Sequence, residues 1–144
     1  MDRGRTILIG TETRGSLRAA GRALYRVAMG DAVMTTRQQA DGATVIEVRG
    51  SLDAATVDAL REALLGTLQR DRPVVLIVDL TFVVFMDSLG VGTLVSGYNM
   101  AREMGTRFVL RNPSEFVHHQ LRVTGLAGMF GLPPSSSASQ TFSP

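Results

Sequence analysis

The strongest candidate for a reactive site is the short run Asp87-Ser88-Leu89-Gly90, in which a serine hydroxyl follows a carboxylate. If this run opens a helix, Ser88 stands at the capping position, and its oxygen can accept a hydrogen bond from an otherwise unpaired backbone N–H. A helix N-terminus also accommodates a phosphate, because it offers free N–H donors and a partial positive charge. The sequence therefore gives Ser88 two compatible roles, a structural N-cap and a phosphoryl acceptor.

The rest of the chain offers little material for a catalytic centre or a metal site. His118 and His119 are neighbours on a predicted helix and project about 100° apart, so they cannot share a metal, and no spaced carboxylates complete a ligand set. Ser88 lies in no Gly-x-Ser-x-Gly elbow and has no identifiable base. Gly90 and Gly92 lack the other residues of a nucleotide-binding motif, including the lysine of a P-loop. We therefore expect neither intrinsic catalysis nor a cofactor.

Ser88 is positioned by a predicted strand before it and a predicted helix after it. Residues 74–78 form an unbroken aliphatic run, which is the pattern of a central strand covered on both faces. From Ser88 onward apolar residues recur at helical spacing, and Gly105 supplies the left-handed residue that commonly ends a helix. The apolar positions of this helix are Val91, Leu94, Val95 and Tyr98.

The connection between this strand and helix is apolar and rich in glycine. Residues 80–86 hold too many apolar side chains for an ordinary loop, so some should extend the strand into the core and others should form an apolar rim beside Ser88. Gly90 and Gly92 weaken the first helical turn by roughly 1 kcal/mol each, which indicates that a partner chain or a neighbouring strand approaches that backbone closely. The candidates for core or rim are Phe82, Val84, Phe85 and Met86.

Two elements are predicted ahead of this unit. Residues 33–37 and 44–49 alternate apolar and polar side chains about the turn dipeptide Asp41-Gly42, so a β-hairpin is expected. Asp53 is then the predicted cap of a helix whose apolar stripe packs on the sheet. That stripe consists of Val57, Leu60, Leu64 and Leu68.

The C-terminal part predicts one further strand and helix. Residues 106–110 read as a parallel strand, and Asn112 as the cap of a helix that starts at Pro113 and runs to about residue 124. Residues 129–132 could form a last short strand. The buried side of the helix is formed by Val117, Leu121 and Phe116. Together these elements predict an α/β fold, a mixed four- to five-stranded sheet with an N-terminal β-hairpin and helices packed against it.

Length and composition fit one soluble cytoplasmic domain. The chain has 144 residues, 44% hydrophobic, with no cysteine and no apolar run long enough to cross a bilayer. Residues 1–32 hold six arginines against three acidic residues, so we expect a flexible basic extension, or a short basic helix at residues 17–29 that touches a membrane or an acidic partner. The folded part clusters no basic residues with aromatics, which argues against direct nucleic-acid binding. Residues 133–144 read as a polar tail.

The run Asp-Ser-x-Gly-x-Gly at residues 87–92, directly after an apolar strand, is the most specific motif of the chain. With Gly50-Ser51-Leu52-Asp53 ahead of a helix, VLIVDL at residues 75–80, and residues 105–110 before Asn112-Pro113, it makes residues 33–132 resemble the STAS domain. More narrowly, the chain resembles the bacterial anti-sigma factor antagonists. Many members of that family carry a second Ser or Thr where this chain has Leu89, so Ser88 is left as the single acceptor.

This resemblance implies a phosphorylation-switched protein-binding module rather than an enzyme. Unmodified Ser88 and its surroundings would bind an anti-sigma factor with serine kinase activity and so release a sigma factor, and a protein phosphatase would reset the module. Asp87 would orient the hydroxyl or align it with the metal and base of the kinase, or else only stabilise the turn. The resemblance implies a partner surface made by Asp53, Met86, Asp87, Ser88, Leu89, Gly90 and Gly92. We expect a monomer or a weak dimer.

Two other functions stay open at this level. One is an STAS adaptor subunit of a lipid-transport complex or a stress-signalling scaffold, in which the same surface packs permanently and no phosphate cycles. The other is a small-ligand or nucleotide sensor that uses a cleft near Asp53 and Ser88. Titration with nucleotides would identify the sensor, and co-purification with a transporter or scaffold would identify the adaptor.

Overall fold

The fold is a five-stranded sheet with three helices, described for residues 24–132 in a computed structural model. Residues 1–23 and 133–144 lie outside this described part, so most of the predicted basic extension and the whole polar tail stay predictions. The elements in chain order are β1 (Leu24–Met29), β2 (Ala32–Gln38), β3 (Thr44–Leu52), α1 (Val57–Asp71), β4 (Val75–Met86), α2 (Ser88–Met104), β5 (Arg107–Arg111) and α3 (Glu115–Val123).

The sheet is mixed, and its strands follow the chain order from β1 to β5. The pairs β1–β2 and β2–β3 are antiparallel, whereas β3–β4 and β4–β5 are parallel. The predicted hairpin at Asp41-Gly42 is confirmed as β2–β3, with Gly42 at a φ of 94°. Hydrogen bonds from the Ala43 N–H and the Gln39 amide to the carboxylate lower the pKa of Asp41. Parallel pairing brings the C-terminal ends of β3 and β4 to the same edge of the sheet.

β1 corrects the predicted start of the folded domain at residue 33. Residues 24–29, assigned above to a flexible extension or a basic helix, pair along their whole length with β2. Val27 and Met29 pack against the core, while Arg26, directly before Val27, is exposed. This is the period of two that a strand with one covered face shows. Arg26 lies on the solvent side, so it does not prevent the strand.

The core lies between the sheet and the helices, and the predicted apolar stripe of α1 is buried in it without exception. In β4, Leu76, Val78 and Leu80 are fully buried, but Val75 and Ile77 on the opposite face are only half-buried. The prediction that this strand is covered on both faces is therefore wrong for one face. Within residues 24–132, no helix combines the length and the apolar character needed to cross a membrane.

α3 begins two residues later than predicted. Asn112 has a left-handed φ of 53°, and Pro113 precedes the helix instead of opening it. Ser114 is the N-cap, because its hydroxyl accepts a hydrogen bond of 3.2 Å from the Val117 N–H. Val117 and Leu121 are buried as predicted.

The predicted strand at residues 129–132 is wrong, because residues 127–131 form successive turns. Gly131 has a φ of 73°, and the Leu132 N–H donates to the Ala127 carbonyl at 3.0 Å. Glycine favours this tight conformation over an extended strand. Phe130 is thereby turned inward and buried.

Candidate functional site

At the connection from β4 to α2, the N-cap residue of the helix is Asp87 and not Ser88. Asp87 has extended backbone angles, and its carboxylate accepts hydrogen bonds from the backbone N–H groups of Leu89 at 2.9 Å and Gly90 at 3.3 Å. Ser88 is the first residue of α2. The predicted N-cap role of Ser88 is therefore wrong, and a carboxylate at this position gains further from the positive end of the helix.

Ser88 is exposed, and its hydroxyl makes no hydrogen bond to any residue between 24 and 132. The helix does not need this hydroxyl, because the neighbouring carboxylate satisfies the first N–H groups. A side chain at this position is held by the helix start yet faces solvent. It is thus available to an incoming group.

The backbone of this connection is fixed to the sheet. Leu52 pairs with Met86 at the end of the parallel β3–β4 ladder, and the Asp87 N–H donates to the Leu52 carbonyl at 3.2 Å. From the other side, the Gln120 side chain of α3 donates to the Met86 carbonyl at 3.0 Å. The peptide group between Met86 and Asp87 is therefore held by both β3 and α3. No sequence pattern singles out Gln120 for this contact.

Gly90 and Gly92 differ in their surroundings. A methyl group added to Gly90 would lie 2.7 Å from the Met86 side chain and 3.0 Å from that of Leu52, so the expected close approach comes from neighbouring strands. A methyl group added to Gly92 would meet nothing within 4 Å. Gly90 and Met86 are both buried, so neither can form the exposed partner surface assigned to them above.

Several large apolar side chains on β4 and on the helices that follow it stay exposed. On β4, Met86 fills the core, whereas Phe82, Val84 and Phe85 face solvent, and Val84 is 69% exposed. We call the exposed group the Ser88 apolar surface, and its members are Phe82, Val84, Phe85, Leu89 and Phe116. Of the four candidates for core or rim, Met86 therefore belongs to the core, and the other three are exposed.

Two contacts shape this surface. The rings of Phe85 and Phe116 stack with their centroids 5.6 Å apart, which joins β4 to the first turn of α3. The Arg49 guanidinium lies 4.2 Å from the centroid of the Phe82 ring. Phe116 was predicted as core, and its 41% exposure places it here instead. Stacked rings with open outer faces are typical anchors for a protein partner.

Asp53 lies beside this connection but does not cap α1. Its carboxylate accepts from the Ala55 N–H at 3.0 Å, which closes a turn ahead of the helix. Thr56 is the N-cap residue and makes no side-chain cap bond; its hydroxyl donates instead to the Ser51 carbonyl at 2.5 Å. Asp53 follows Leu52, the residue that pairs with Met86. The structure therefore brings the predicted Asp53 loop to the same edge of the sheet as Ser88.

Neither histidine of α3 belongs to a metal-binding group among the described residues. In residues 24–132 no three His, Asp or Glu side chains converge as a bound metal would require. His119 Nδ1 lies 3.0 Å from a guanidinium nitrogen of Arg122 on the next turn. The chemistry of the site is thus that of a hydroxyl, a capping carboxylate and apolar side chains.

Comparison with known proteins places this site in a family. Residues 34–140 match the model of the STAS domain. The anti-sigma-B factor antagonist of Listeria monocytogenes is 35% identical over 82 residues, which cover 57% of this chain and 71% of that protein, and its Listeria innocua counterpart gives the same values.

Solved structures of anti-sigma factor antagonists are also similar to this chain. An anti-sigma factor antagonist from Mycobacterium paratuberculosis is 28% identical, with a TM-score of 0.62 and coverage of 77% of this chain and 92% of that one. The unphosphorylated anti-sigma factor antagonist SpoIIAA shares the fold at 22% identity, with a TM-score of 0.58 and coverage of 75% and 94%. The chain therefore belongs to the STAS domain family, among its anti-sigma factor antagonists.

Proposed function

We propose that this chain binds an anti-sigma factor through the surface around unmodified Ser88, and that the kinase activity of that partner phosphorylates Ser88 and ends the association. Capture of the anti-sigma factor releases a sigma factor. A protein phosphatase hydrolyses the phosphoserine and restores the binding form. Family membership supports the class of partner, and the geometry around Ser88 supports the switch.

The observation that carries this proposal is the exposed hydroxyl at the first residue of α2. Asp87 already satisfies the helix start, so modification of Ser88 removes no hydrogen bond among the described residues. The backbone beneath it is held by Leu52 and Gln120, so the hydroxyl keeps a defined position. An acceptor that is both exposed and fixed suits a kinase that must align it with a phosphate.

The transfer is a simple displacement in which this chain supplies the nucleophile. The Ser88 oxygen bonds to the γ-phosphorus of ATP while the bond from that phosphorus to the bridging oxygen breaks, and ADP leaves. The hydroxyl proton passes to a base of the partner kinase. Asp87 holds the helix start through its two N–H contacts, and in this proposal it acts by positioning Ser88 and not as the base.

Electrostatics explains how one phosphate can end binding without unfolding the domain. At the N-terminus of α2 the added charge gains roughly 0.3 to 1 kcal/mol, and repulsion from Asp87 offsets part of this gain. In an interface the same phosphate must lose its water, which costs several kcal/mol unless arginines of the partner meet it. Each 1.4 kcal/mol is about tenfold in affinity, so we expect binding to weaken by two to three orders of magnitude.

The Ser88 apolar surface supplies the affinity of the unmodified form. Its aromatic members are already stacked or covered on one side, so they lose little conformational freedom when a partner packs against them. Leu89 follows Ser88 directly and is half exposed. A partner that buries Leu89 also encloses the serine, which couples apolar contact to the phosphate switch.

The test is phosphate transfer from ATP by the anti-sigma kinases of the source organism, read by intact mass and by fragment mapping. We expect a single added phosphoryl group on Ser88, lost in Ser88→Ala and retained in Ser96→Ala, since Ser96 is an exposed serine on the same helix. Transfer to another residue, or no transfer and no binding with any of these kinases, would contradict the proposal.

A second measurement separates the switch from a permanent adaptor. Calorimetric titration of the partner with unmodified chain and with fully phosphorylated chain should give affinities that differ by about a hundredfold or more. Equal affinities, or tight binding to a partner that never transfers phosphate, would identify an STAS adaptor of a transport or signalling complex.

A further inference from the structure

A second candidate site lies at the opposite end of α2 from Ser88. A cleft of about 410 Å³ opens between the last turns of α2, the strand β5 and the turns that follow α3. This volume falls within the range of small-molecule pockets, roughly 300 to 1,000 Å³. The cleft is lined by, among others, Tyr98, Arg102, Arg107, Phe108 and Phe130.

One wall of the cleft is aromatic. The rings of Tyr98, Phe108 and Phe130 contact one another, with centroids 6.0, 5.5 and 5.9 Å apart, and two of the three contacts are edge-on. Phe108 and Phe130 are buried, so the fold fixes their orientation, and Tyr98 is the ring of this wall that stays partly exposed. Such a wall favours a flat apolar group, which can pack against ring faces and edges.

The rim of the cleft carries positive charge that the fold leaves unpaired. Arg102 and Arg107 are exposed, and neither side chain forms an ion pair or hydrogen bond with any residue of the described range. Some other arginines of the same range do, such as Arg61, which contacts Asp58 at 2.7 Å. Glu103 borders the neighbouring hollow and offsets part of this charge.

We propose that this cleft binds a small molecule that joins a flat, apolar ring system to one acidic group. The ring system would pack on the aromatic wall, and the acidic group, a carboxylate, phosphate or sulfonate, would meet the guanidinium groups of Arg102 and Arg107. On α2, Tyr98 and Arg102 lie about 15 and 21 Å along the helix axis from Ser88, so this site is separate from Ser88. It is independent of the proposed phosphorylation switch.

Charge favours such a ligand over the chain's own remaining segments. Leu132 lines the cleft, and residues 133–144 follow it; they contain no Asp or Glu, so a terminal carboxylate is the one anionic group that this segment could bring to Arg102 and Arg107. Residues 1–23 hold five arginines against two acidic residues, so they would be repelled. An external anion meets neither difficulty.

The test titrates the full chain with 8-anilinonaphthalene-1-sulfonate, an aromatic sulfonate of the proposed class, and follows backbone amides by NMR. We expect the largest shifts at Tyr98, Phe108 and Phe130, and an affinity about tenfold or more weaker in the double variant Arg102→Gln and Arg107→Gln. Both arginines are exposed, so the variant should fold. Arg61→Gln, outside the cleft, should bind as the unaltered chain does.

The uncharged analogue N-phenyl-1-naphthylamine tests the acidic group. We expect it to bind at least tenfold more weakly than the sulfonate, and equal binding would overturn the role of the arginines. Shifts confined to Phe85, Leu89 and their neighbours would place the probe on the Ser88 apolar surface and overturn the site. Binding that emerges only in Phe142→Ala would show that residues 133–144 occupy the cleft instead.

Discussion

Aromatic side chains contact one another near both ends of α2, but they are mostly buried at one end and partly exposed at the other. At the C-terminal end, Phe108 and Phe130 are buried and Tyr98 contacts both of them. At the N-terminal end, Phe85 and Phe116 also touch, yet each keeps about two fifths of its surface exposed. The contacts at the C-terminal end complete the core, whereas the Phe85–Phe116 contact leaves apolar surface in water.

The difference separates apolar area that this chain uses for folding from apolar area that the proposed partner would cover. Burial of an aromatic side chain contributes to the free energy of folding, whereas a ring left half exposed contributes only in part. An exposed apolar group beside an exposed serine is costly to keep in water and useful only when something covers it. Substitutions at each end of the helix test this contrast.

The largest effect is expected where the aromatic contact is buried. Phe108→Ala should lower the free energy of unfolding by about 3–5 kcal/mol, because it removes a buried ring and leaves a cavity. Phe85→Ala should cost about 1 kcal/mol, since its ring is 40% exposed and loses mainly the stack on Phe116. Urea denaturation measures both.

If Phe108→Ala does not fold, Phe108→Leu keeps the test open, with an expected loss of about 1.5 kcal/mol or less. Equal losses for Phe108 and Phe85 variants would remove the distinction between a structural and a partner-facing aromatic group.

An intermediate effect is expected from the two glycines of the N-terminal end. Gly90→Ala should destabilise by roughly 1 to 3 kcal/mol, because the new methyl group would meet Met86 and Leu52. Gly92→Ala has open space and should stabilise by up to about 1 kcal/mol through helix propensity. Thermal unfolding of the two variants checks the opposite signs, and equal signs would mean that Gly90 is not packed against β3 and β4 as described.

The smallest effect on folding is expected at Leu89. Leu89→Ser should change the free energy of unfolding by no more than about 0.5 kcal/mol, because the side chain is half exposed. The same substitution should weaken binding of the anti-sigma partner by about tenfold. Val74→Ser is the matched control, since Val74 is 75% exposed at the opposite end of β4. Loss of binding in the Val74 variant, or none in the Leu89 variant, would place the interface elsewhere.

The sequence predicted what depends on strong local patterns. The Asp-Gly turn of the hairpin, the four-residue stripe of α1 and the Gly105 stop of α2 all follow from short-range chemistry, and the structure has each of them. The position of Ser88 at a strand-to-helix connection follows from the change of hydrophobic period. These features need no knowledge of the rest of the chain.

The missed features depend on contacts between distant residues. Asp87 and Ser88 are both good capping residues, and the pattern alone does not decide between them; the backbone bond from Asp87 to Leu52 makes Asp87 the extended residue. The strand β1 is recognised only through its partner β2, since Arg26 interrupts its apolar run. Gln120 reaches Met86 across 34 positions of sequence, which no local pattern encodes.

β4 is also divided along its length. Residues 76–79 pair with both β3 and β5, whereas Phe82, Val83, Phe85 and Met86 pair with β3 alone among the described strands. For this second part of β4, α3 supplies the other support through Gln120 and Phe116. In terms of local unfolding these are two units of unequal stability. Detachment of α3 would free the strand edge next to Ser88 and break no strand pairing. The segment that presents the serine is thereby the part of the inner sheet that can open first.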